Sequence, residues 1–177
     1  MPTIATRANK RRGRHPSPQP SPRARGEGAK RAPPNLSLVV QSALDGTDIP
    51  SRAELRVIAQ SALERDASVT FRFVDGRESR ALNRRYRGRD CATNVLTFVY
   101  DDEVSLAGDI VLCVPVVVKE ASAQRKTLRA HFAHLVIHGM LHLQGYDHER
   151  DDDAARMEAR EIALLRNLGY DDPYGDG

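Results

Sequence analysis

The amino-acid sequence predicts one α+β domain, built from a small mixed sheet of four strands and about five flanking helices. In the first half of the chain, short segments that alternate with period two are interleaved with segments of helical periodicity. Two strand segments then follow each other directly, and the rest of the chain has a helical pattern. This order, β-α-β-α-β-β-α-α-α, is typical of an α+β domain rather than of a doubly wound sheet. The 177 residues, of which 40% are hydrophobic, suffice for one core of ordinary size.

The first 35 residues differ in composition from the remainder. They hold seven prolines, nine of the 27 basic residues and one of the 24 acidic residues, so this segment carries a charge of +8 and the remainder −5. Large apolar side chains are scarce there, so burial cannot offset the entropy cost of ordering. We therefore expect residues 1–35 to be a disordered Arg/Pro-rich extension and residues 36–177 to form the domain. An arm that contacts RNA and a dispensable extension are the two interpretations of this segment.

Two capping boxes mark the first two predicted helices. In Ser51-x-x-Glu54 and Asp75-x-x-Glu78, the first side chain can accept a hydrogen bond from the backbone amide of the acid three residues later. The second helix is predicted to end near Gly88, since glycine readily adopts the left-handed conformation that ends a helix. The strands that precede these two helices are predicted at residues 36–40 and 69–73.

The second half of the domain is predicted to contain two strands and three helices. The strands cover residues 94–100 and 109–114. Pro115 fits the first turn of the third helix, and Thr127 caps a fourth helix that ends at Gly145. The last helix spans residues 151–168. Its inward face is predicted to consist of Ala155, Ile162, Leu165 and Leu168.

Histidines on the predicted fourth helix have the spacing of a metal-chelating pair. His138 and His142 are four residues apart, which places both imidazole rings on one helix face. His134 lies one turn earlier on that face, but about 12 Å along the axis from His142. Zinc–nitrogen bonds are about 2.0–2.1 Å long, so the rings of His134 and His142 cannot both reach one tetrahedral ion. A third ligand must therefore come from outside the helix.

Gly145 and His148 explain where the third ligand comes from. Gly145 can end the helix and turn the chain back, and His148 follows three residues later. Three neutral imidazoles leave one coordination position open for water, which is the pattern of catalytic rather than structural zinc. We therefore predict a zinc-dependent hydrolase with one Zn²⁺ per chain, held by His138, His142 and His148. Ni²⁺, Cu²⁺ and Co²⁺ also suit three imidazoles, and a histidine-rich helix without metal is the alternative interpretation.

The spacing H-x-x-x-H-x-x-G-x-x-H is also that of the metzincin proteases. Those proteases carry a glutamate general base directly after the first histidine, where this chain has Gly139. Without that carboxylate, general-base catalysis of peptide hydrolysis loses about 10²–10⁴-fold in rate. The predicted metal ligands therefore resemble those of a zincin-type metallopeptidase, but the remaining chemistry does not.

Together with three shorter motifs, the histidine motif makes the chain similar to the YbeY family of bacterial endoribonucleases. The resemblance extends from about Leu36 to Tyr174. The motifs that carry it are Tyr86-Arg-Gly-Arg-Asp90, Thr93-Asn-Val-Leu-Thr-Phe98, Gly108-Asp-Ile110 and His138 through His148.

This resemblance implies a zincin-like α+β fold and a metal-dependent ribonuclease that prefers single-stranded RNA. It also implies maturation of small-subunit (16S) rRNA, especially at its 3′ end, and ribosome quality control. Its partners would be rRNA, the small ribosomal subunit and associated assembly factors. The family's metal ligands carry over to His138, His142 and His148, and its functionally important arginine to Arg87. Thr97 and Val99 stand where the family often has Ser and Pro, a departure that touches no ligand.

Residues 77–89 form a local basic patch in an otherwise acidic domain. The patch contains one acid and six arginines: Arg77, Arg80, Arg84, Arg85, Arg87 and Arg89. One guanidinium group can bind two phosphate oxygens at once, so the patch supports an RNA substrate independently of the resemblance. An ordinary solvated helix face is the alternative interpretation, and it is preferred for Arg77 and Arg80. Arg87 is the best candidate to meet the scissile phosphate, and Arg84 and Arg85 are further candidates for substrate binding. Because the chain has no Trp and few aromatic residues, we expect little extended base stacking.

Composition also bears on location and on the rival functions. No apolar run approaches the roughly 20 residues that span a bilayer, and no secretory signal is evident. Cys91 and Cys113 form no paired motif, so a cytoplasmic protein without membrane partners is expected, with Cys113 buried in an apolar run. The rivals to a ribonuclease are a zincin-type metallopeptidase and a non-catalytic ribosome-assembly factor with structural zinc. The nucleophile of the ribonuclease is either hydroxide supplied by zinc or the 2′-hydroxyl of the RNA.

Overall fold

A computed structural model of the chain describes residues 32–42, 44, 48–100, 106–146 and 150–175. The predicted extension lies almost entirely outside this part of the chain, and one compact unit begins at Pro33. The described strands are β1 (Leu36–Ser42), β2 (Ala67–Val74), β3 (Val95–Tyr100) and β4 (Leu106–Cys113). The described helices are α1 (Arg52–Ala62), α2 (Gly76–Arg87), α3 (Val114–Ala123), α4 (Leu128–Leu143) and α5 (Asp151–Asn167). The predicted α+β class and the order of its elements are confirmed.

The four strands form one mixed sheet in the order β1-β2-β4-β3. β1 pairs with β2 and β2 pairs with β4 in parallel, whereas β3 runs antiparallel to β4. Within the described part of the chain β3 is an edge strand, which pairs Phe98 with Asp109 and Val99 with Gly108. No described helix is long and apolar enough to cross a membrane.

The two faces of the sheet are covered by different helices. Neighbouring residues of a strand point to opposite faces, so Ile110 and Leu112 contact the larger core while Val111 and Cys113 contact a smaller cluster. The larger core also includes the buried apolar side chains of α1, α4 and α5. The smaller cluster includes Leu82 of α2. The helix with the predicted metal ligands therefore packs on one face and the arginine-rich helix on the other.

The predicted caps are present, with one exception. Ser51 and Glu54 form a complete capping box at α1. The side chain of Asp75 accepts a hydrogen bond from the backbone amide of Glu78 at 2.8 Å. The Glu78 carboxylate does not accept from the backbone amide of Asp75, because it pairs with Arg72 of β2 at 2.6 Å. The second capping box is thus only half formed, since an arginine from the neighbouring strand competes for the acid.

The inward face of α5 differs from the predicted one. Ala155 is exposed, whereas the buried positions are Met157, Glu161, Leu164 and Leu165. These four positions follow the helical repeat, but the stripe contains an acid. The prediction was right for Leu165, which is buried, and for Leu168, which packs against the core, but it was wrong for Ala155. It also missed Glu161, the position that faces α4.

Gly108 allows three elements to approach one another closely. A Cβ atom at this position would collide with the backbone carbonyl oxygen of Phe98 and with the side chain of Leu143. The C-terminal end of α4 thus lies directly beneath the pairing of β4 with β3.

Replacing Gly108 with alanine is expected to destabilise the domain by about 1–3 kcal/mol, because the backbone of Phe98 has to move. For a domain of this size the melting temperature should fall by about 2–4 °C per kcal/mol, as measured by circular dichroism. Gly76→Ala is the matched control, since a Cβ there has no neighbour within 4 Å. A Gly108→Ala variant as stable as the Gly76→Ala variant would contradict the close approach.

Candidate metal centre

Helix α4 places His138 and His142 side by side, as their spacing predicts. Their Nε2 atoms are 3.1 Å apart and their ring centroids 4.5 Å apart. The ring of His134 lies one turn away, 6.3 Å from that of His138. The structure thus brings two of the three predicted ligands together. The third, His148, lies outside the described residues.

Two further hydrogen bonds determine which nitrogen of each ring carries the proton. Nδ1 of His138 lies 2.8 Å from Oε1 of Glu161, and Nδ1 of His142 lies 2.9 Å from the backbone carbonyl oxygen of Tyr146. A carboxylate and a carbonyl only accept, so each Nδ1 donates its N–H. In the neutral form of each ring, this arrangement leaves the lone pair on Nε2, which is the form that a metal ligand takes.

The distance between the two Nε2 atoms suits a shared metal ion. Two nitrogens bound to one tetrahedral zinc at about 2.0–2.1 Å stand about 3.3 Å apart, close to the observed 3.1 Å. Among the described residues alone, no group of three or more His, Cys, Asp or Glu side chains could hold a metal. His138 and His142 therefore fit as two ligands of a site that needs a further donor.

Glu161 is fully buried beside His138 and accepts three hydrogen bonds. The donors are Nδ1 of His138, Nε2 of His134 at 3.0 Å and the hydroxyl of Tyr174. Burial by itself raises the pKa of Glu161, but the three hydrogen bonds outweigh burial and lower this pKa to about 2. Burial and the bond to Glu161 raise the pKa of Tyr174. Glu161 is therefore an ionised, fixed acceptor that orients the ring of His138.

Sequence reasoning missed both Glu161 and Tyr174 as parts of this site. For Glu161, the sequence feature that could have indicated this role is its position four residues after Met157 and three before Leu164, inside the buried stripe of α5. A glutamate is rarely buried unless it has a partner, so an acid in such a stripe indicates a buried polar contact. No comparable pattern marks Tyr174.

A second carboxylate–histidine pair lies nearer the start of α4. Nε2 of the buried His131 is 2.9 Å from Oε2 of Glu120, whose carboxylate also accepts from the side-chain amide of Asn94. Burial lowers the pKa of His131 and outweighs the opposing effect of Glu120. His131 and His134 thus both pack inside the domain, each held by a carboxylate.

Gly139, which follows the first ligand of the predicted pair, faces the sheet. A Cβ atom at this position would lie 2.9 Å from Cγ2 and 3.0 Å from Cδ1 of Ile110 on β4. A glutamate at the position where the metzincins carry their general base would therefore have to displace the side chain of Ile110. The peptidase alternative is disfavoured by packing as well as by the missing carboxylate.

Comparison with known proteins identifies the family. The family model described as Endoribonuclease YbeY matches residues 48–169. The chain belongs to the YbeY family. Its curated relatives named Endoribonuclease YbeY include one from Nitrosomonas europaea, 57% identical over 78% of this chain and 85% of the relative, and one from Aromatoleum aromaticum, 56% identical over 78% of this chain and 92% of the relative. A third, from Azoarcus sp., is 57% identical over 80% of this chain but only 60% of its own length.

A solved structure supports the fold of this YbeY-family chain. The solution structure of TM1509 from Thermotoga maritima is similar, with a TM-score of 0.50 and 25% sequence identity. The similarity covers 78% of this chain and 99% of TM1509. The overall fold is therefore similar to that of a solved structure of much lower sequence identity.

The three candidate arginines of the YbeY-family chain are all exposed at the C-terminal end of α2. Arg87 is the last residue of this helix and precedes Gly88, which adopts the left-handed conformation with φ 68°. Arg84 and Arg85 occupy the preceding turn. Within the described ranges no contact joins Arg87 to the histidines. Its predicted role at the scissile phosphate stays a prediction.

Proposed function

We propose that this chain is a metal-dependent endoribonuclease that cleaves single-stranded RNA. The proposal extends to maturation of 16S rRNA at its 3′ end and to ribosome quality control in the cytoplasm. Its partners would be the small ribosomal subunit and associated assembly factors. The observation that carries the hydrolytic part is the pair of Nε2 lone pairs of His138 and His142, 3.1 Å apart with both Nδ1 atoms engaged by acceptors. Family membership and the names of the relatives support RNA as the substrate.

The proposed roles follow from the chemistry of each side chain. His138, His142 and His148 would hold Zn²⁺. A zinc ion supplies a Lewis acid for a phosphoryl oxygen and makes hydroxide available near neutral pH. Arg87, whose side chain is exposed at the end of α2, would stabilise negative charge that develops on the phosphate.

The nucleophile can be identified from the products. Attack by the 2′-hydroxyl expels the 5′-oxygen of the next nucleotide and leaves a 2′,3′-cyclic phosphate. Attack by hydroxide leaves a linear phosphate and a hydroxyl at the new ends. Analysis of the new termini of a short labelled RNA therefore assigns the attacking oxygen.

Removal of the metal is the direct test of the proposed function. Protein purified without a histidine tag is expected to contain about one equivalent of metal and to cleave an unpaired oligoribonucleotide. A chelator should abolish cleavage, and addition of Zn²⁺ should restore it, because the imidazoles alone offer no Lewis acid. Casein incubated under the same conditions should stay intact. Cleavage that survives complete removal of the metal would refute the proposal, and digestion of casein would support a peptidase.

A further inference from the structure

Three aromatic side chains cluster beside the end of α2, on the sheet face that this helix covers. The ring centroids of Tyr86 and Phe98 are 4.9 Å apart in an edge-to-face arrangement. Tyr100 lies two residues after Phe98 on β3 and so points to the same face. Tyr86 is 56% exposed and Tyr100 50% exposed. Large aromatic side chains left in solvent at one place are typical of an interaction site.

The surroundings of this aromatic cluster carry positive charge. The guanidinium of Arg85 lies 5.4 Å from the ring centroid of Tyr86, and Arg84 and Arg87 are exposed on the same helix end. The neighbouring acid Asp90 is paired with Arg80 at 2.7 Å. Asp109 accepts a hydrogen bond from the hydroxyl of Tyr100 at 2.7 Å, so one acid lies within the cluster. Among the described residues, Arg84, Arg85 and Arg87 form no ion pair, and this end of α2 suits a partner that has both flat rings and anionic groups.

The cluster and the histidine pair lie on opposite sides of the same edge strand. Leu143, the residue after His142, packs against Gly108 of β4. The backbone carbonyl group of Phe98 on β3 lies close to the same glycine. The side chain of Phe98 extends to the other face and contacts Tyr86. An RNA chain bound at the aromatic cluster would therefore have to cross this edge of the sheet to approach the histidines.

We propose that Tyr86, supported by Phe98 and Tyr100, is a stacking platform for an unpaired base of the RNA substrate. Arg84, Arg85 and Arg87 would hold the adjoining phosphates. This inference rests on the proposed function for the identity of the ligand, but it requires no cleavage. An unpaired base has a free face to stack, whereas a base in a duplex is already stacked on both sides. The platform thus explains a preference for single strands that is independent of base sequence.

The absence of tryptophan from the sequence allows a direct test. Tyr86→Trp introduces one fluorophore, whose emission should be quenched in a saturable manner by an unpaired oligoribonucleotide in a chelating buffer that prevents turnover. Val57→Trp is the matched control, because Val57 is 59% exposed on α1. Its emission should change little. Equal quenching in both variants, or none in either, would overturn the stacking role.

Affinity measurements separate this inference from the proposed function. In the same buffer, Tyr86→Leu should weaken binding of the oligoribonucleotide about 5- to 150-fold, the range for loss of one base–aromatic stack. Tyr86→Phe should bind like the unaltered protein. An abasic strand of equal length should bind the Tyr86→Leu and Tyr86→Phe variants with equal affinity. Unchanged affinity of a folded Tyr86→Leu variant would overturn only the platform. Failure of the unaltered protein to bind RNA would overturn both proposals.

Discussion

Replacing His142 with alanine is expected to lower the rate of RNA cleavage by at least about 10²-fold and to remove most of the bound metal. His142 supplies one of the two Nε2 lone pairs that lie 3.1 Å apart. Without it the ion loses a ligand, and metal Lewis acids contribute several kcal/mol to the stabilisation of the transition state, about tenfold in rate per 1.36 kcal/mol. Cleavage of a labelled unpaired RNA and metal content per chain measure the two effects.

Arg129→Ala is a suitable control, because Arg129 is exposed on the same helix and lies far along it from His142. This variant should retain both metal and activity. Equal cleavage by the His142→Ala variant would trace the activity to a contaminating nuclease. Association with the small ribosomal subunit that survives in His142→Ala, combined with no turnover by the unaltered protein, would support the assembly-factor alternative.

The second large effect is expected from Glu161→Gln, which should weaken zinc binding about 10- to 100-fold. The glutamine keeps the volume of Glu161 but loses its negative charge. The N–H of His138 then donates to a weaker acceptor, so Nε2 becomes a poorer ligand. Competition with a chromophoric chelator measures the zinc affinity directly, without reference to activity.

Glu120→Gln is the matched control for this measurement. Glu120 also holds a histidine of α4, since its carboxylate lies 2.9 Å from His131, but this ring is not a predicted ligand. Zinc affinity should therefore be unaffected in Glu120→Gln. A similar loss in both variants would show that any disturbed carboxylate–histidine pair loosens the helix, and that Glu161 has no specific role in orienting His138.

Local sequence patterns predicted the features of the fold that depend on local interactions. The capping box of Ser51 and Glu54 involves residues three apart, and the end of α2 at Gly88 depends on one backbone conformation. The pairing of His138 with His142 likewise follows from one helical turn. These features need no knowledge of distant elements, so the sequence alone suffices to predict them.

Features that depend on distant partners could not be predicted in this way. Glu78 looked like the second half of a capping box, but Arg72 from the preceding strand takes its carboxylate. Glu161 received no role from the sequence, because its partner His138 lies 23 residues earlier. In both cases the packing of one element against another, rather than the pattern within either, decides which partner the acid has.

The bond from Tyr174 to Glu161 connects the segment after α5 with the histidine pair. Thermodynamic linkage makes such a connection reciprocal. If docking of Tyr174 makes the binding of an ion by His138 more favourable, then binding of the ion must favour docking of Tyr174 by the same free energy. Under that condition, the ordering of residues 170–175 and the occupancy of the site would be two coupled equilibria.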